Sequence, residues 1–212
     1  TGVYPVSATN AIILDDRNMG SEAFPLEIVG STNWAAGGTW FQVDGTTNGM
    51  RIQNTRHIHL KNIRVSGARN GLSVESVDTL RIQDGEFFGN QANGIQVGGS
   101  SGVEVRNSLI WGNGGYGVQS RGAKGAQLLR NVTLWGNQLG AVENAQSTLM
   151  ISNSVLVATN PVAVVRESGE GTIFGDYNLY WNEAGGPIAT NAKNKVAYLN
   201  LSAWQQAGRD VH

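Results

Sequence analysis

The chain has 212 residues, 40% of them hydrophobic, with a formal net charge of −1 at pH 7 and no cysteine. That length and apolar content suffice for one packed domain, and the near-zero charge removes any general electrostatic case for nucleic acid or an anionic membrane surface as partner. The absence of cysteine excludes disulfides, thiol nucleophiles and thiolate metal sites together.

No apolar run approaches the roughly 18 residues of a membrane span, and no charged-then-apolar start resembles a signal peptide. The chain opens at Thr1, as a processed chain or a fragment would. Twenty-nine glycines against four prolines point to frequent tight turns between regularly recurring apolar residues.

The first 48 residues are the least regular. Residues 11–14, 24–29 and 40–43 are short apolar runs split by turn-rich sequence, which predicts an opening segment and one irregular coil over 1–48. From Gly49 the chain becomes periodic. Gly71, Gly94, Gly117 and Gly140 each open a line that recurs every 23 residues, and such a period marks a solenoid. Regular coils are expected over 49–182, with 183–212 as a C-terminal capping segment of the same domain.

Two polar columns cross the repeats. The first holds Asn62, Asp84, Asn107, Asn131, Asn153 and Asp176, and the second holds Asn90, Asn113, Asn137, Asn160 and Asn182. Asparagine tolerates left-handed corners, and stacked amides hydrogen-bond from coil to coil, so both columns have a structural explanation. Asn131 is expected to turn inward, which would hide the sequon Asn131-Val132-Thr133 and leave Asn200-Leu201-Ser202 as the more accessible one.

Three apolar columns accompany them, alternating as strands require. Leu60, Ile82, Val105, Leu129, Ile151 and Phe174 form one, and Val65, Phe87, Ile110, Leu134, Leu156 and Leu179 another. Met50, Leu72, Ile95, Val118, Ala141 and Val164 form the third. The expected fold is all-β: a right-handed parallel β-helix of about seven coils of about 23 residues, each with three short strands. Residues 202–206 read as a short helix capped by Asn200 or Ser202 and ended by Gly208, with Trp204 covering the open end.

On these repeats, over roughly residues 24 to 182, the chain resembles the right-handed parallel β-helix proteins with pectate-lyase-type repeats. GDYNLYW (175–181) and LSAWQQAGRDVH (201–212) look like the end of such domains in secreted polysaccharide-processing proteins, and TGVYP and GSEAFPLEIVG (20–30) look like their opening. The resemblance implies a polysaccharide partner and a secreted or cell-surface, bacterial-type location. It does not select an activity, because this scaffold hosts lyases, hydrolases, epimerases, adhesins and phage fibres.

Function is expected on the outward columns. His59, Arg81 and Glu104, followed by Leu128, Met150 and Ile173, lie beside Lys61, Gln83, Arg106 and Arg130. For a lyase acting on an acidic polysaccharide this set is apt, since a cation neutralises the substrate carboxylate and a base removes the adjacent proton. Arg81 or Arg106 would neutralise, and His59 or Lys61 would be the base. The same charges also fit a solvated strand face, although Arg106 above Arg130 is unfavourable without an anion or a splayed geometry.

Phe88, Trp111, Trp135 and Tyr180 form a second outward column. With Glu104 and Arg130 they are the candidate substrate contacts, because aromatic faces stack on sugar rings. The same column would equally serve protein contacts or self-association, as the coil ends would.

His57 and His59 share a strand face but have no evident third ligand, so no metal site is assigned. No cofactor is called for, and a calcium site has no supporting sequence motif. Glu143 and Arg166 are placed in one column and expected to pair. A glycoside hydrolase needs a facing carboxylate pair, and none recurs on adjacent coils. Three readings therefore stay open: a module binding and cleaving an acidic polysaccharide by β-elimination, a non-catalytic structural or adhesive module, and a glycoside hydrolase.

Overall fold

The computed structural model describes residues 2–7, 11–33, 35, 37–210 and 212. Among these, strands of three to six residues stack into three sheets of eight, nine and seven strands. The first sheet runs from Gly2–Val6 through Thr39–Val43, Ile63–Ser66, Glu86–Phe88, Leu109–Trp111, Thr133–Trp135 and Val155–Ala158 to Leu179–Asn182. The second runs from Ile12–Leu14 to Val196–Tyr198. The third contains Leu26–Val29, Arg56–Lys61, Asp78–Gln83, Ser101–Arg106, Gln127–Arg130, Thr148–Ser152 and Thr172–Asp176.

The chain visits the three sheets in rotation, so each coil lays one strand on each, and the seven strands of the third sheet count seven coils. Every pairing is parallel except that of the last two strands of the second sheet, Ala189–Asn191 and Val196–Tyr198. This is a parallel β-solenoid, and the strands of residues 2–43 are continuous with it.

Inward columns form the core. Leu60, Ile82, Val105, Leu129 and Ile151 stack in register, as do Val65, Phe87, Ile110, Leu134 and Leu156, and all are at most 2% exposed. Burying one such side chain contributes about 1.5–3 kcal/mol.

The two asparagine columns separate in kind. Asn62, Asp84, Asn107, Asn131 and Asn153 have φ between 48° and 54° and make the corner between the third and first sheets. Asn107, Asn131 and Asn153 face solvent, so Asn131 is not turned inward as expected: the left-handed corner itself uses the residue, and its amide reaches sideways to Asn107 Oδ1 at 3.2 Å. Asn90, Asn113 and Asn137 are buried at 2% or less. Asn90 Nδ2 donates to Asn113 Oδ1, and Asn113 Nδ2 to Asn137 Oδ1, both at 2.8 Å. Asn160 and Asn182 leave this ladder, donating instead to Gln138 O and Val162 O.

Glycines hold the remaining special positions. Gly112 and Gly136, each between an outward Trp and a ladder Asn, turn the chain at φ 61° and 63°, where only glycine is free of strain. Gly94 is required by closeness: a Cβ there would collide with Ile110 Cγ2 and lie 2.7 Å from Gly117 O.

The register slips by one residue in two places relative to the sequence reading. Val142 and Val165, not Ala141 and Val164, stack on Val118. In the seventh coil Phe174 pairs with Met150 and is exposed, while Ile173 is buried beside Leu149, and Tyr177 rather than Asp176 takes the corner at φ 55°. A one-residue slip reverses every side chain on a strand. Thus Leu179 is exposed and Tyr180 is buried in the core, stacked on Leu156.

The C-terminal end is closed by helix α1, Leu201–Gln206, with Asn200 as N-cap accepting from the Ala203 amide at 2.9 Å. Trp204 is fully buried and meets Tyr198 edge-on at 5.0 Å. Arg209 pairs with Glu167 at 3.1 Å, and Asp210 accepts from Asn178 at 2.7 Å, which straps the last residues to the coils.

Candidate functional site

The third sheet carries the basic face. In register along its outside stand Glu27, His59, Arg81, Glu104, Leu128, Met150 and Phe174, and beside them Lys61, Gln83, Arg106 and Arg130. Period-two alternation puts both sets outward, because the residues between them fill the core. His59, Lys61, Arg81, Arg106, Glu104 and Arg130 are thus brought onto one face. Phe174 replaces the expected Ile173 at the end of the row, for the register reason given above.

Glu104 is the centre of this face. Its side chain is only 9% exposed, and its carboxylate lies 2.5 Å from Arg106 Nε, 3.6 Å from Arg81 Nε and 4.0 Å from Arg130 Nε. The stacking of Arg106 on Arg130 is tolerated because this buried anion sits beside both. All three arginines remain about half exposed. Their guanidinium groups carry more donors than one carboxylate can use.

At the N-terminal end of the row lies a cavity of about 190 Å³ lined by Glu27, His59, Lys61, Arg81, Gln83 and Arg106. Glu27 Oε1 is 3.0 Å from Lys61 Nζ and 3.3 Å from His59 Nδ1. Lys61 first, then His59, holds the Glu27 carboxyl below its usual range. Glu27 lies outside the periodic repeats, in the opening segment, where spacing offers no column in which to find it.

Beside the basic row a wide, open groove of about 650 Å³ follows the corner, lined by Asn62, Asp84, Glu86, Asn107, Ser108, Leu109, Asn131 and Thr133. Its far wall is the first sheet. There the aromatic column differs from the sequence expectation. Phe88 and Trp111 stack face to face at 5.0 Å and 4°, and Arg64 sits over both Phe88 and Trp40 at 5.6 and 5.4 Å.

Parallel in-register strands about 4.8 Å apart place neighbouring rings one on another, so Phe88 and Trp111 spend their shared faces on each other. The Trp111 indole N–H is also taken, by Glu86 at 3.0 Å, and that of Trp40 by Ser66 at 2.8 Å. Trp135 is different. Among the described residues its ring has neither a stacking partner nor a hydrogen bond, and it is 45% exposed. Tyr180 is withdrawn from the column by burial, which, with Asp210, drives its phenol far above the usual range; Trp181 stands outside in its place.

On the second sheet Glu143 is buried and held by Arg121 at 2.9 Å and Gln119 at 2.7 Å, with Arg166 at 3.9 Å. It belongs to the outward column of Gln96 and Gln119, one position from the column of Ile52, Val74 and Val97 in which the sequence placed it. Among the described residues no three or more His, Asp or Glu side chains converge as a metal site would require, and no helix is long and apolar enough to cross a membrane.

Comparison with known proteins agrees with this architecture. The structure is similar to that of pectate lyase Pel9A, with a TM-score of 0.66 at 14% identity, covering 90% of this chain and 57% of that one. It is also similar to the Agl-KA catalytic domain, with a TM-score of 0.51 at 18% identity, covering 84% and 42%. The chain therefore spans little more than half the length of the pectate lyase, and likeness at such identity shows a shared fold. No curated protein matches the chain in sequence. Residues 48–201 match the family described as right handed beta helix region. The chain belongs to this right-handed β-helix family.

Proposed function

We propose that the third sheet and the corner groove bind an acidic polysaccharide lying along the helix axis, and that the bound chain is cleaved there by β-elimination. The observation that carries this reading is the arginine row: Arg81, Arg106 and Arg130, half exposed, gathered around the single buried carboxylate of Glu104. The row keeps excess positive charge and unused donors on a surface whose protein is otherwise nearly neutral.

Carboxylates repeated along a polymer suit cations repeated along a solenoid, and a uronate neutralised by arginine has its adjacent C–H acidified for elimination. Two residues beyond Thr133 of the groove, on the same strand, the exposed indole of Trp135 offers a face for a sugar ring. The likeness to a pectate lyase supports the substrate class through a shared scaffold only. A polymer of this kind places the protein outside the cytoplasm, secreted or at the cell surface.

Hydrolysis is disfavoured on this face. Among the described residues, Glu27 and Glu104 on the third sheet and Glu86 in the groove are each engaged by cations, which leaves Asp84 of the groove without a free facing partner among them. The test is to incubate the protein with uronic-acid polymers, with and without calcium, and follow ultraviolet absorbance for unsaturated ends. Rising absorbance supports cleavage, and a flat trace with polymer still bound reduces the site to binding.

A second reading has its own observation. On the first sheet Val155, Leu179 and Trp181 join Trp135 as exposed apolar side chains, which suits protein contact. Sedimentation over a concentration series tests this, and a monomer at all concentrations removes self-association.

A further inference from the structure

We propose that His59 is the proton acceptor of this site and Glu27 its positioning residue, with Lys61 held beside them as a cation; this rests on the elimination reading above. Glu27, on the strand Leu26–Val29, pairs in register with His59 one coil on, and Arg81 follows His59 one coil further. Glu27 Oε1 therefore meets His59 Nδ1 at 3.3 Å and Lys61 Nζ at 3.0 Å.

An ionised carboxylate only accepts hydrogen bonds, so the proton of the first contact must belong to Nδ1. A neutral imidazole has one N–H. Its lone pair is then at Nε2, the atom that can take a proton. Lys61, donating as an ammonium to the same oxygen, has no lone pair to offer.

Position agrees with role. His59 is 15% exposed and lines the cavity of about 190 Å³ together with Arg81 and Arg106. A uronate carboxylate held by either arginine brings the carbon that bears it toward His59. In the step, Nε2 takes the proton from that carbon. The C–H electron pair becomes the double bond to the neighbouring ring carbon, the C–O bond to the next sugar breaks, and the departing oxygen takes a proton from water. Glu27 offsets the imidazolium charge as it forms and holds the ring in the productive tautomer.

The charged groups that share the cavity with His59 are Glu27 from the preceding strand, Arg81 from the following one, Arg106 one coil beyond that and Lys61 on its own. Neither Glu27 nor the ring contact lies in the core, so substitution leaves the coils intact.

The experiment combines nitrogen-15 shifts of the His59 ring in the whole chain with kinetics of unsaturated-product formation on polygalacturonate. The wild type is expected to show the Nδ1–H tautomer. Glu27→Ala should lose that preference and lower kcat by roughly tenfold or more with KM changed by about twofold at most. Glu27→Asp should recover part of kcat, His59→Ala should fall further, and Lys61→Met should shift KM more than kcat. Melting temperatures of the variants check the fold.

An Nε2–H tautomer in the wild type, or product formation indifferent to Glu27→Ala or His59→Ala, overturns the proposal while leaving elimination standing. No unsaturated product from the wild type on any uronan, with polymer still bound, refutes elimination itself and the proposal with it.

Discussion

Glu104 Oε1 lies 2.5 Å from Arg106 Nε at the level where Arg106 stacks in register on Arg130. Like charges opposite one another on neighbouring strands are destabilising, and this buried carboxylate makes the arrangement tenable. Glu104→Gln removes the counter-charge while keeping the shape. It is expected to cost about 1–3 kcal/mol, and added salt should restore part of the loss by screening the arginines. Thermal melts at low and high salt measure both. An unchanged melting temperature at low salt would mean that the arginines splay apart without help.

Asn113 is the middle rung of the buried ladder. Its amide donates to Asn137 Oδ1 and Phe87 O, and its Oδ1 receives both the Asn90 side chain and the Asn90 backbone amide. Asn113→Ala strands these partners in a site with no water contact and is expected to cost about 2–4 kcal/mol. Denaturant unfolding of this variant beside Asn160→Ala is the comparison. Asn160, off the ladder and partly exposed, should change stability by less than about 0.5 kcal/mol.

Asn131 tests the corner rather than the ladder. At φ 52° and exposed, it is kept by the left-handed backbone, so Asn131→Gly should be tolerated, while Asn131→Ala should cost about 1 kcal/mol. Equal losses in the two variants would show that the amide bond to Asn107, not the backbone, sets the preference.

Much of the fold is written in the spacing of residues. Val65, Phe87, Ile110, Leu134 and Leu156 could be stacked on paper because an outward-inward alternation repeats with the coil, and they stack so in the molecule. Uneven steps can be read where a marker residue shows them: Val157 follows Trp135 by 22 residues and Trp135 follows Trp111 by 24, as the aligned columns have it, whereas the last step, Trp181 after Val157 by 24 and not 23, has no such marker. Nothing in composition distinguishes such a shift, yet it exchanges Leu179 with Tyr180.

For the site, the cation row was legible as charges on one strand face. The engagement of Phe88 with Trp111 was not, because outward position says nothing of whether rings lie flat or stack.

The burial of Tyr180 carries a pH signature. Its phenol is raised by desolvation first and by Asp210 next, so the folded state favours the neutral form. For an acid whose folded pKa is raised, the stabilisation is fully present below the unfolded value, about 10, and is lost as pH climbs toward the folded value. Alkaline titration followed by tyrosinate absorbance should show the Tyr180 phenol ionising only as the C-terminal end opens, apart from Tyr116, whose phenol burial also raises, and Tyr180→Phe should remove that step. A smooth titration of all tyrosines near their ordinary range would contradict the burial.

The central claim is that the arginine row holds an acidic polysaccharide, and calorimetric titration of polygalacturonate into wild type and an Arg81→Ala, Arg106→Ala, Arg130→Ala variant tests it most directly. The wild type should bind, more weakly as salt rises. The variant should lose at least about a hundredfold in affinity, each arginine contributing about 1 kcal/mol or more, with its coils still folded by circular dichroism. Equal affinity in the two proteins, or no binding of any polyuronate by the wild type at low salt, would contradict it.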